Sequence, residues 1–326
     1  MRILVVGAGA IGGYFGGRLL EAGRDVTFLV RARRAAQLAK TGLVIKSALG
    51  DLDLPQPPTI SAEALHEPFD LILLSCKAYD LAGAIASFVP AVGPSTAILP
   101  LLNGIRHLDA LDARFGASRV LGGLCAISTA LDSEGRIAHF GKLQDLVFGA
   151  RDGSQSKQMK SIADVLSNAG FTARLSDNIL HDMWEKWTFI AAAAGITCLM
   201  RGAAGDIVAA EAANLATSLL DECTAIAAAN GFPPREVWLE RGRTVLTTPG
   251  SEFTASMLKD IERGAPIEAD QIVGDLLRRS RGDDARSLLR IAFAHLETYE
   301  ARRRREAAGK ASLSEEALKA QTSAMG

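Results

Sequence analysis

The chain has 326 residues and a mass of 34.4 kDa, a length that predicts two domains. Hydrophobic residues make up 48% and charged residues 22%, a balance that excludes intrinsic disorder. Lysine and arginine number 36 against 37 acidic residues. The resulting net charge of −1 gives no indication of a nucleic-acid or membrane-surface partner.

The cysteines and the apolar segments indicate a cytoplasmic protein. Four cysteines are scattered without CxxC spacing, so neither a disulfide framework nor a zinc site is indicated. The longest uncharged apolar run, over residues 187–200, is shorter than the roughly 20 residues that cross a membrane. Met1-Arg2 leads directly into an apolar run and then glycines, without the features of a signal peptide. We therefore expect a cytoplasmic protein with no membrane partner.

The N-terminal half alternates short β-branched segments with helical ones. The predicted strands are 2–6, 25–30, 70–74 and 97–99, and the predicted helices between them are 11–22, 33–40 and 81–88. This alternation predicts an α/β domain with a Rossmann-type, doubly wound parallel sheet. Between residues 120 and 148, turn residues at Ser133-Glu134-Gly135 and at Gly141 predict antiparallel strands that close the edge of the domain.

Long amphipathic segments replace the β-rich ones after a predicted helix over 154–168 and a last strand over 171–175. The predicted later helices are 179–200, 207–230, 254–262, 268–279 and 285–305. We place the boundary near Ser176, where Ser-Asp-Asn can cap the first long helix. The predicted domains are 1–175, an α/β domain, and 176–305, an all-helical domain. Residues 306–326 have too little apolar content to pack and are predicted to form a flexible tail.

The most informative motif is Gly7-Ala8-Gly9-Ala10-Ile11-Gly12, which follows the first predicted strand and opens the first helix. That context is the one in which GxGxxG binds a dinucleotide. The first glycine permits a tight turn, the second lets the backbone approach a pyrophosphate, and the third lets helix and strand pack closely. The helix N-terminus offers N–H groups to phosphate. The alternative is a tight turn with a structural role only.

The end of the second predicted strand indicates which dinucleotide binds. An acidic residue there would bind the ribose 2′-hydroxyl of NAD, whereas a basic one accommodates the 2′-phosphate of NADP. Here the strand runs into Arg31-Ala32-Arg33-Arg34 with no acid, and Arg31 has the spacing of the discriminating residue. Guanidinium groups pair well with phosphate, so we predict NADP. A solvated helix start is the alternative, although positive charge opposes the helix dipole there.

Two polar residues follow the later parallel strands, Lys77 after Ser75-Cys76 and Asn103 after Leu102. Ligands of such sheets lie outside the carboxyl ends of the strands, so both residues are candidates for contact with the cofactor. Asn103-Gly104 is equally consistent with a simple turn.

At this point the chain resembles the ketopantoate reductase (2-dehydropantoate 2-reductase) family, over nearly its whole length to about Arg305. The resemblance rests on the glycine-rich motif, Arg31, Lys77, Asn103, Trp184-Glu185-Lys186, and Ser256-Met257-Leu258-Lys259-Asp260-Ile261 followed by Glu268. It implies reduction of a 2-keto acid to a 2-hydroxy acid with NADPH, as in the conversion of ketopantoate to pantoate for pantothenate biosynthesis. It also implies an NADP-binding N-terminal domain and a helical domain for substrate binding and homodimerisation.

The resemblance also implies roles for individual residues. Lys186 would be the general acid, and Glu268 and Ser256 would help to hold substrate and cofactor. Hydride addition to a ketone builds negative charge on its oxygen, which an ammonium group can stabilise and protonate. Burying a lysine is costly without a partner, and Glu268 is the proposed partner. The alternative is that Lys186 snorkels to solvent and Glu268 is a solvated acid at a helix start.

The sequence departs from the family at the expected substrate contacts. The family usually carries asparagines one and two turns after the lysine, where this chain has Ile190 and Ala194, and another asparagine is replaced near Ala204. Residues four and eight after Lys186 lie on its face of the helix. The substrate-binding set is therefore Asn103, Lys186, Ile190, Ala194 and Ser256. Without amide donors it would favour a more apolar or larger 2-keto acid than ketopantoate.

Two other functions are consistent with the sequence. One is a dehydrogenase of other oxo acids or of opine type, because Rossmann-plus-helical architecture serves several chemistries. The other is a non-catalytic protein that binds NADPH as a redox sensor. Lys186 and Glu268 favour an enzyme, while the missing asparagines leave the sensor open. No metal is indicated, because His139, His181 and His295 lack the spacing of metal ligands.

Overall fold

A computed structural model describes the backbone of residues 1–282 and 286–323 and the side chains of residues 1–282 and 286–309. The chain divides into two compact units, Met1–Trp184 (unit 1) and Glu185–Gly326 (unit 2). The division falls inside a long helix, a few residues after Ser176, where the sequence places the boundary. In the described part of the chain, no helix has both the length and the hydropathy that a membrane span requires.

The described strands all belong to unit 1. They are β1 (Arg2–Val6), β2 (Asp25–Leu29), β3 (Leu43–Ser47), β4 (Leu52–Leu54), β5 (Thr59–Ile60), β6 (Phe69–Leu74), β7 (Val92–Pro100), β8 (Gly122–Leu131), β9 (Ile137–Gly149) and β10 (Thr172–Leu175).

The helices of unit 1 lie between these strands. They are α1 (Ala10–Glu21), α2 (Ala32–Thr41), α3 (Leu81–Phe88), α4 (His107–Phe115) and α5 (Lys157–Leu166), with 3₁₀ turns at Ala62–Ala64, Ala78–Asp80, Val89–Ala91 and Ala117–Arg119.

The helices of unit 2 begin with the one that carries the division. They are α6 (Ile179–Met200), α7 (Ala204–Ala209), α8 (Ala213–Ala229), α9 (Glu236–Thr247), α10 (Ser256–Glu262), α11 (Asp275–Arg278) and α12 (Leu288–Ser323), with a π-helix at Asp270–Gly274.

The first sheet has the strand order β5-β2-β1-β6-β7, and every neighbouring pair is parallel. The central strand β1 is buried from Ile3 to Val6, because its apolar run is covered on both faces. In chain order this is the 3-2-1-4-5 arrangement of a Rossmann-type domain. The predicted fold class, a doubly wound α/β sheet followed by helices, is confirmed.

A second sheet contains the antiparallel strands that the sequence predicts between residues 120 and 148. Strands β8 and β9 pair antiparallel, and β9 also pairs parallel with β3 and with β10. These strands form a separate sheet with β3, β4 and β10 and do not extend the parallel sheet. Gly141 is a break in the register inside β9 rather than a turn between strands.

Helix α1 packs between the two sheets, and its glycines permit the close approach. A Cβ at Gly16 would lie 2.5 Å from the ring of Phe28 on β2, and one at Gly17 would lie 2.9 Å from Leu43 on β3. Phe28 and Leu43 are both completely buried. The middle of α1 is therefore packed against β2 on one side and β3 on the other.

The helices of unit 2 differ from the predicted ones in several places. The segment predicted as one helix over 207–230 is α7 and α8, interrupted where Glu211 takes a left-handed conformation with φ 57°. Helix α9 was not predicted, and the segment over 268–279 contains the π-helix and only a short α-helix. Helix α12 continues to Ser323, so the predicted tail has helical backbone that far and its flexibility stays a prediction. Ala285, the predicted start of α12, lies outside the described residues.

Candidate active site

The turn from β1 to α1 has the conformation that the glycine-rich motif predicts. Gly7 has φ +93°, which a residue with a side chain rarely adopts, and its N–H donates to the carbonyl of Leu29 at the end of β2 over 3.0 Å. A Cβ at Gly12 would overlap the Gly7 carbonyl oxygen and Ser75 Oγ. The first and third glycines of the motif are therefore required by the protein itself.

Gly9 is different, because nothing in the protein requires a glycine there. It is the N-cap of α1 with φ −79° and ψ −163°, a conformation that any residue can adopt. An added Cβ would have no other atom within 4 Å. No side chain caps the helix start, and its first turn contains no acidic residue. The open space and the uncapped helix start fit the pyrophosphate of a dinucleotide.

Ser75, the residue after β6, braces this turn. Its hydroxyl lies 3.0 Å from the carbonyl oxygen of Val6 and 3.1 Å from that of Gly7. The contact ties the end of β6 to the end of β1, which is how the parallel sheet brings the two loops together. The sequence did not single out this serine, because a hydroxyl beside a turn has no distinctive pattern.

The arginines after β2 have different environments. Arg34 turns inward: its Nε donates to the carbonyl of Ala8 over 2.8 Å, and its Nη1 donates to the carbonyl of Gly135 over 2.9 Å. Burial lowers the pKa of Arg34. Arg34 thus links the glycine-rich turn to the β8–β9 connection. Arg31 and Arg33 are both exposed, and of the two only Arg31 has the spacing that the sequence analysis assigns to the 2′-phosphate ligand.

Arg31 forms an ion pair with Asp80, the last residue of the 3₁₀ turn that follows β6. Nη2 of Arg31 lies 2.9 Å from Oδ1 of Asp80, and the hydrogen bond raises the pKa of Arg31. No sequence pattern indicates this acid, because 49 positions separate the two residues. The basic residue predicted to select NADP is therefore accompanied by a carboxylate from another strand end.

Lys77 and Asn103 lie where the sequence predicts, after two adjacent strands of the first sheet. Lys77 follows β6, is exposed, and precedes the 3₁₀ turn at Ala78–Asp80. Asn103 follows β7, is half-buried, and precedes Gly104 with φ +72°. The positive φ supports a turn at Asn103-Gly104, and this turn lies at the carboxyl end of the sheet, so the two interpretations are compatible.

Lys186 lies on α6 and is half-buried, between two neighbours that anchor the helix in unit 2. Glu185 has a fully buried side chain and accepts hydrogen bonds from the Arg235 backbone N–H and Nε, each over 2.8 Å, as well as from Nη2. These bonds join α6 to the start of α9. They fix the rotation of the helix and hence the direction in which Lys186 leaves it.

Trp187 anchors the other side of Lys186. The indole is 1% exposed, and its Nε1 donates to the carbonyl of Ile272 in the π-helix over 2.8 Å. Arg279 lies 5.5 Å from the ring centroid. A π-helix is rare and recurs at functional sites. Here it begins two residues after Glu268, which no helical pattern in the sequence could have indicated.

The segment that carries Glu268 is also held to α12. Ile267 donates its backbone N–H to Oε1 of Glu300 over 2.9 Å, and the Tyr299 hydroxyl donates to the carbonyl of Ala265 over 2.8 Å. Glu268 itself is half-buried. Its position is therefore set by the π-helix on one side and by α12 on the other.

Ser256 is the first residue of α10 and is exposed. The preceding residue, Ala255, donates its N–H to Thr197 Oγ1 on α6 over 3.4 Å. Thr197 lies eleven positions, about three turns, beyond Lys186, which puts it on the same face of the helix. Helix α6 therefore has contacts with the segments of both Ser256 and Glu268.

The two positions where the resemblance predicts asparagines differ in burial. Ala194 is 2% exposed and belongs to the packed interior of unit 2. Ile190 is only partly buried. Of the two, Ile190 is the one with surface to offer a ligand.

The structure thus gathers the predicted site residues in two groups. In unit 1 they lie at the carboxyl ends of β1, β2, β6 and β7, and in unit 2 they lie on or against α6. Searched over the residues whose placement is described, the chain has no group of three histidine, cysteine or acidic residues able to hold a metal ion.

Family models and relatives agree with this arrangement. The model described as "Ketopantoate reductase PanE/ApbA" matches residues 3–153, and the model described as "Ketopantoate reductase PanE/ApbA C terminal" matches residues 178–286. Together they match most of the chain.

Three similar proteins cover the chain almost from end to end. The "Uncharacterized oxidoreductase YkpB" of Bacillus subtilis is 40% identical, over 92% of this chain and 99% of that protein. The 2-dehydropantoate 2-reductase of Mesorhizobium japonicum is 29% identical, over 84% of this chain and 89% of that protein. A crystal structure of the 2-dehydropantoate 2-reductase from Geobacter metallireducens matches with a TM-score of 0.82 and 28% identity, covering 91% of this chain and 99% of that one.

The indole contact of α6 generates a stability prediction. We expect Trp187→Phe to lower the free energy of unfolding by about 1–3 kcal/mol, because a buried hydrogen bond to Ile272 is lost. Urea titration followed by circular dichroism measures the change. Trp238→Phe on α9, where the side chain is only partly buried, is the matched control and should cost less. Equal losses for the two variants would contradict the anchoring role.

Proposed function

The chain belongs to the ketopantoate reductase family, and we propose that it reduces a 2-keto acid to a 2-hydroxy acid with a nicotinamide dinucleotide, preferentially NADPH. The observation that carries the proposal is the open space at Gly9 above an uncapped helix start, in a turn whose other two glycines the protein itself requires. In a GxGxxG turn at a helix start, the second glycine is the one that lets a pyrophosphate approach the backbone, and the open space at Gly9 fits that use.

The residues around this turn fit a dinucleotide. The backbone of Gly7-Ala8-Gly9-Ala10-Ile11-Gly12 would hold the pyrophosphate at the start of α1. Arg31 would pair with a 2′-phosphate, which is the basis for preferring NADPH. Lys77 and Asn103 would contact the nucleotide from the ends of β6 and β7. The bound reduced nicotinamide would supply a hydride.

The residues of unit 2 would bind the substrate and donate the proton. Lys186 would place its ammonium group at the keto oxygen, stabilise the negative charge that develops there, and donate the proton that completes the hydroxyl group. Glu268 would hold the ammonium in place, and Ser256 would help to bind the substrate. The anchoring of α6 through Glu185 and Trp187 supports this assignment, because a proton donor has to be held in one direction.

The cofactor is tested first at Gly9. We expect Gly9→Ala to fold normally, since nothing lies within 4 Å of the new methyl group, and to weaken NADPH binding about 100-fold or more because the methyl group occupies the pyrophosphate space. Fluorescence titration gives the dissociation constants. Gly83→Ala in α3, where an added Cβ also has no atom within 4 Å, is the control and should bind as the wild type does. Unchanged binding by the Gly9 variant would refute the cofactor site.

The proton donor is tested at Lys186. We expect Lys186→Ala to reduce kcat about 100- to 10,000-fold, the usual contribution of a general acid, while NADPH binding persists. The measurement is the loss of nicotinamide absorbance with a panel of 2-keto acids. Lys160→Ala, which removes an exposed lysine from α5, should leave kcat unchanged.

The same experiment separates the alternative functions. A kcat for Lys186→Ala within tenfold of the wild type would remove Lys186 from the mechanism. A wild-type protein that binds NADPH but reduces no keto acid would favour the non-catalytic sensor. Activity confined to imines formed from amino acids and keto acids would favour an opine-type dehydrogenase.

We further propose that the substrate is more apolar or larger than ketopantoate. Ile190 lies one turn after Lys186 and offers an aliphatic surface where the family has an amide, and Ala194, one turn further, is buried. Without those hydrogen-bond donors, a hydroxylated keto acid would lose its water contacts and gain no replacement.

Substrate choice is tested at Ile190. We expect the wild type to have a kcat/KM for an aliphatic or aromatic 2-keto acid at least about tenfold above that for ketopantoate, and Ile190→Asn to shift the ratio about tenfold towards ketopantoate. Ile190→Val, which keeps the surface apolar, should retain the wild-type preference. Ketopantoate emerging as the best wild-type substrate by orders of magnitude would overturn this proposal.

Some sequence predictions reach beyond the site. A homodimer formed through the helical domain, a cytoplasmic location and a place in pantothenate biosynthesis stay predictions. The last of them depends on the substrate, since an apolar keto acid would put the protein outside that pathway.

A further inference from the structure

The ion pair between Arg31 and Asp80 crosses the position where a dinucleotide would lie. Arg31 follows β2 and Asp80 follows β6, and β1 lies between these two strands in the sheet. Neighbouring strands are about 4.8 Å apart, so β2 and β6 lie roughly 10 Å from each other. The side chains of Arg31 and Asp80 together bridge that separation past the carboxyl end of β1. The glycine-rich turn leaves the sheet at that end.

The carboxylate of Asp80 is directed to Arg31 and not to the helix that follows it. Asp80 directly precedes α3 and has helical backbone, φ −96° and ψ −2°, continuous with the 3₁₀ turn before it, rather than the extended backbone of a capping aspartate. No side-chain cap bond is present, and the carboxylate is directed to Arg31 instead. The orientation of Asp80 is therefore set by a partner on another strand end rather than by its own helix.

The ion pair is exposed enough to open. The side chain of Arg31 is 76% exposed and that of Asp80 is 38% exposed. Exposed pairs contribute little free energy, because water and salt screen them. A phosphate, which can accept two hydrogen bonds from one guanidinium group, can displace a carboxylate that accepts one.

We propose that Asp80 determines coenzyme choice: its carboxylate competes with the 2′-phosphate of NADPH for Arg31 and accepts a hydrogen bond from the 2′-hydroxyl of NADH. This inference rests on the proposed function, which it deepens. Arg31 alone would select strongly for NADPH. With Asp80 beside it, the site carries both the base that suits a 2′-phosphate and the acid that suits a 2′-hydroxyl, so the protein binds both reduced nucleotides.

The test compares the affinities of NADPH and NADH for the wild type and Asp80→Asn. Asparagine keeps the size and the hydrogen-bond acceptor but removes the charge that repels phosphate and pairs with Arg31. The ratio of NADPH affinity to NADH affinity should rise about three- to tenfold, the range expected on losing an exposed charge pair. Fluorescence titration of each reduced nucleotide gives the dissociation constants.

Two further variants identify the cause. Asp51→Asn removes a carboxylate from another exposed ion pair of unit 1, with Lys46 at 2.8 Å, and should leave the ratio unchanged. In an Arg31→Ala background, Asp80→Asn should raise the ratio by a clearly smaller factor, because only the direct effects of the carboxylate on the 2′-phosphate and the 2′-hydroxyl remain. If Asp80→Asn raised the ratio of NADPH affinity to NADH affinity equally with and without Arg31, the proposed competition for Arg31 would be wrong.

The remaining outcomes separate this inference from the proposed function. If the wild type binds NADPH and the ratio for Asp80→Asn stays within twofold of it, the inference about Asp80 fails and the proposed function stands. A wild type with no measurable NADH binding also overturns the inference alone. A wild type that binds neither nucleotide overturns both.

Discussion

The turn between β1 and α1 is the constraint on which the proposed chemistry depends. There the chain has to reverse at the end of a buried strand, begin a helix in close contact with two sheets, and leave backbone N–H groups facing open space. Gly7 and Gly12 meet the first two requirements through a positive φ and a close approach. Gly9 meets neither, and its only evident use is the space that it leaves open.

Much of unit 1 could be predicted because its signals are local. A buried parallel strand is a short apolar run, and the glycine turn, the next helix and the arginines after β2 lie within one βαβ unit. The second sheet was only partly predicted. Strands β3 and β4 are short, and β3 pairs with β9 almost one hundred residues later in the chain, a pairing that no local pattern specifies.

In unit 2, too, the helices that depend on distant contacts could not be predicted from local patterns. The bounds predicted for the long apolar helix α6 match the observed ones, because its composition is typical of a buried helix. The interruption at Glu211, helix α9 and the π-helix beyond Glu268 were not predicted, since each depends on tertiary contacts that override weak local preference. The sequence predicts roles for Lys186 and Glu268 by motif, and these roles stay predictions. It could not have identified Trp187, whose indole joins α6 to the π-helix, as more than a core residue.

The charges after β2 show why residue type alone does not settle a binding role. Spacing in the sequence favours Arg31, but residue type does not distinguish it from Arg33 and Arg34. In the structure Arg34 donates to two backbone carbonyls, and Arg31 pairs with Asp80. A guanidinium group held by carbonyls fixes the turn, whereas one held by an exposed carboxylate can exchange that partner for a ligand. We therefore expect coenzyme choice to depend on two strand ends together, because a site with one basic and one acidic group can be moved towards either nucleotide by a single substitution.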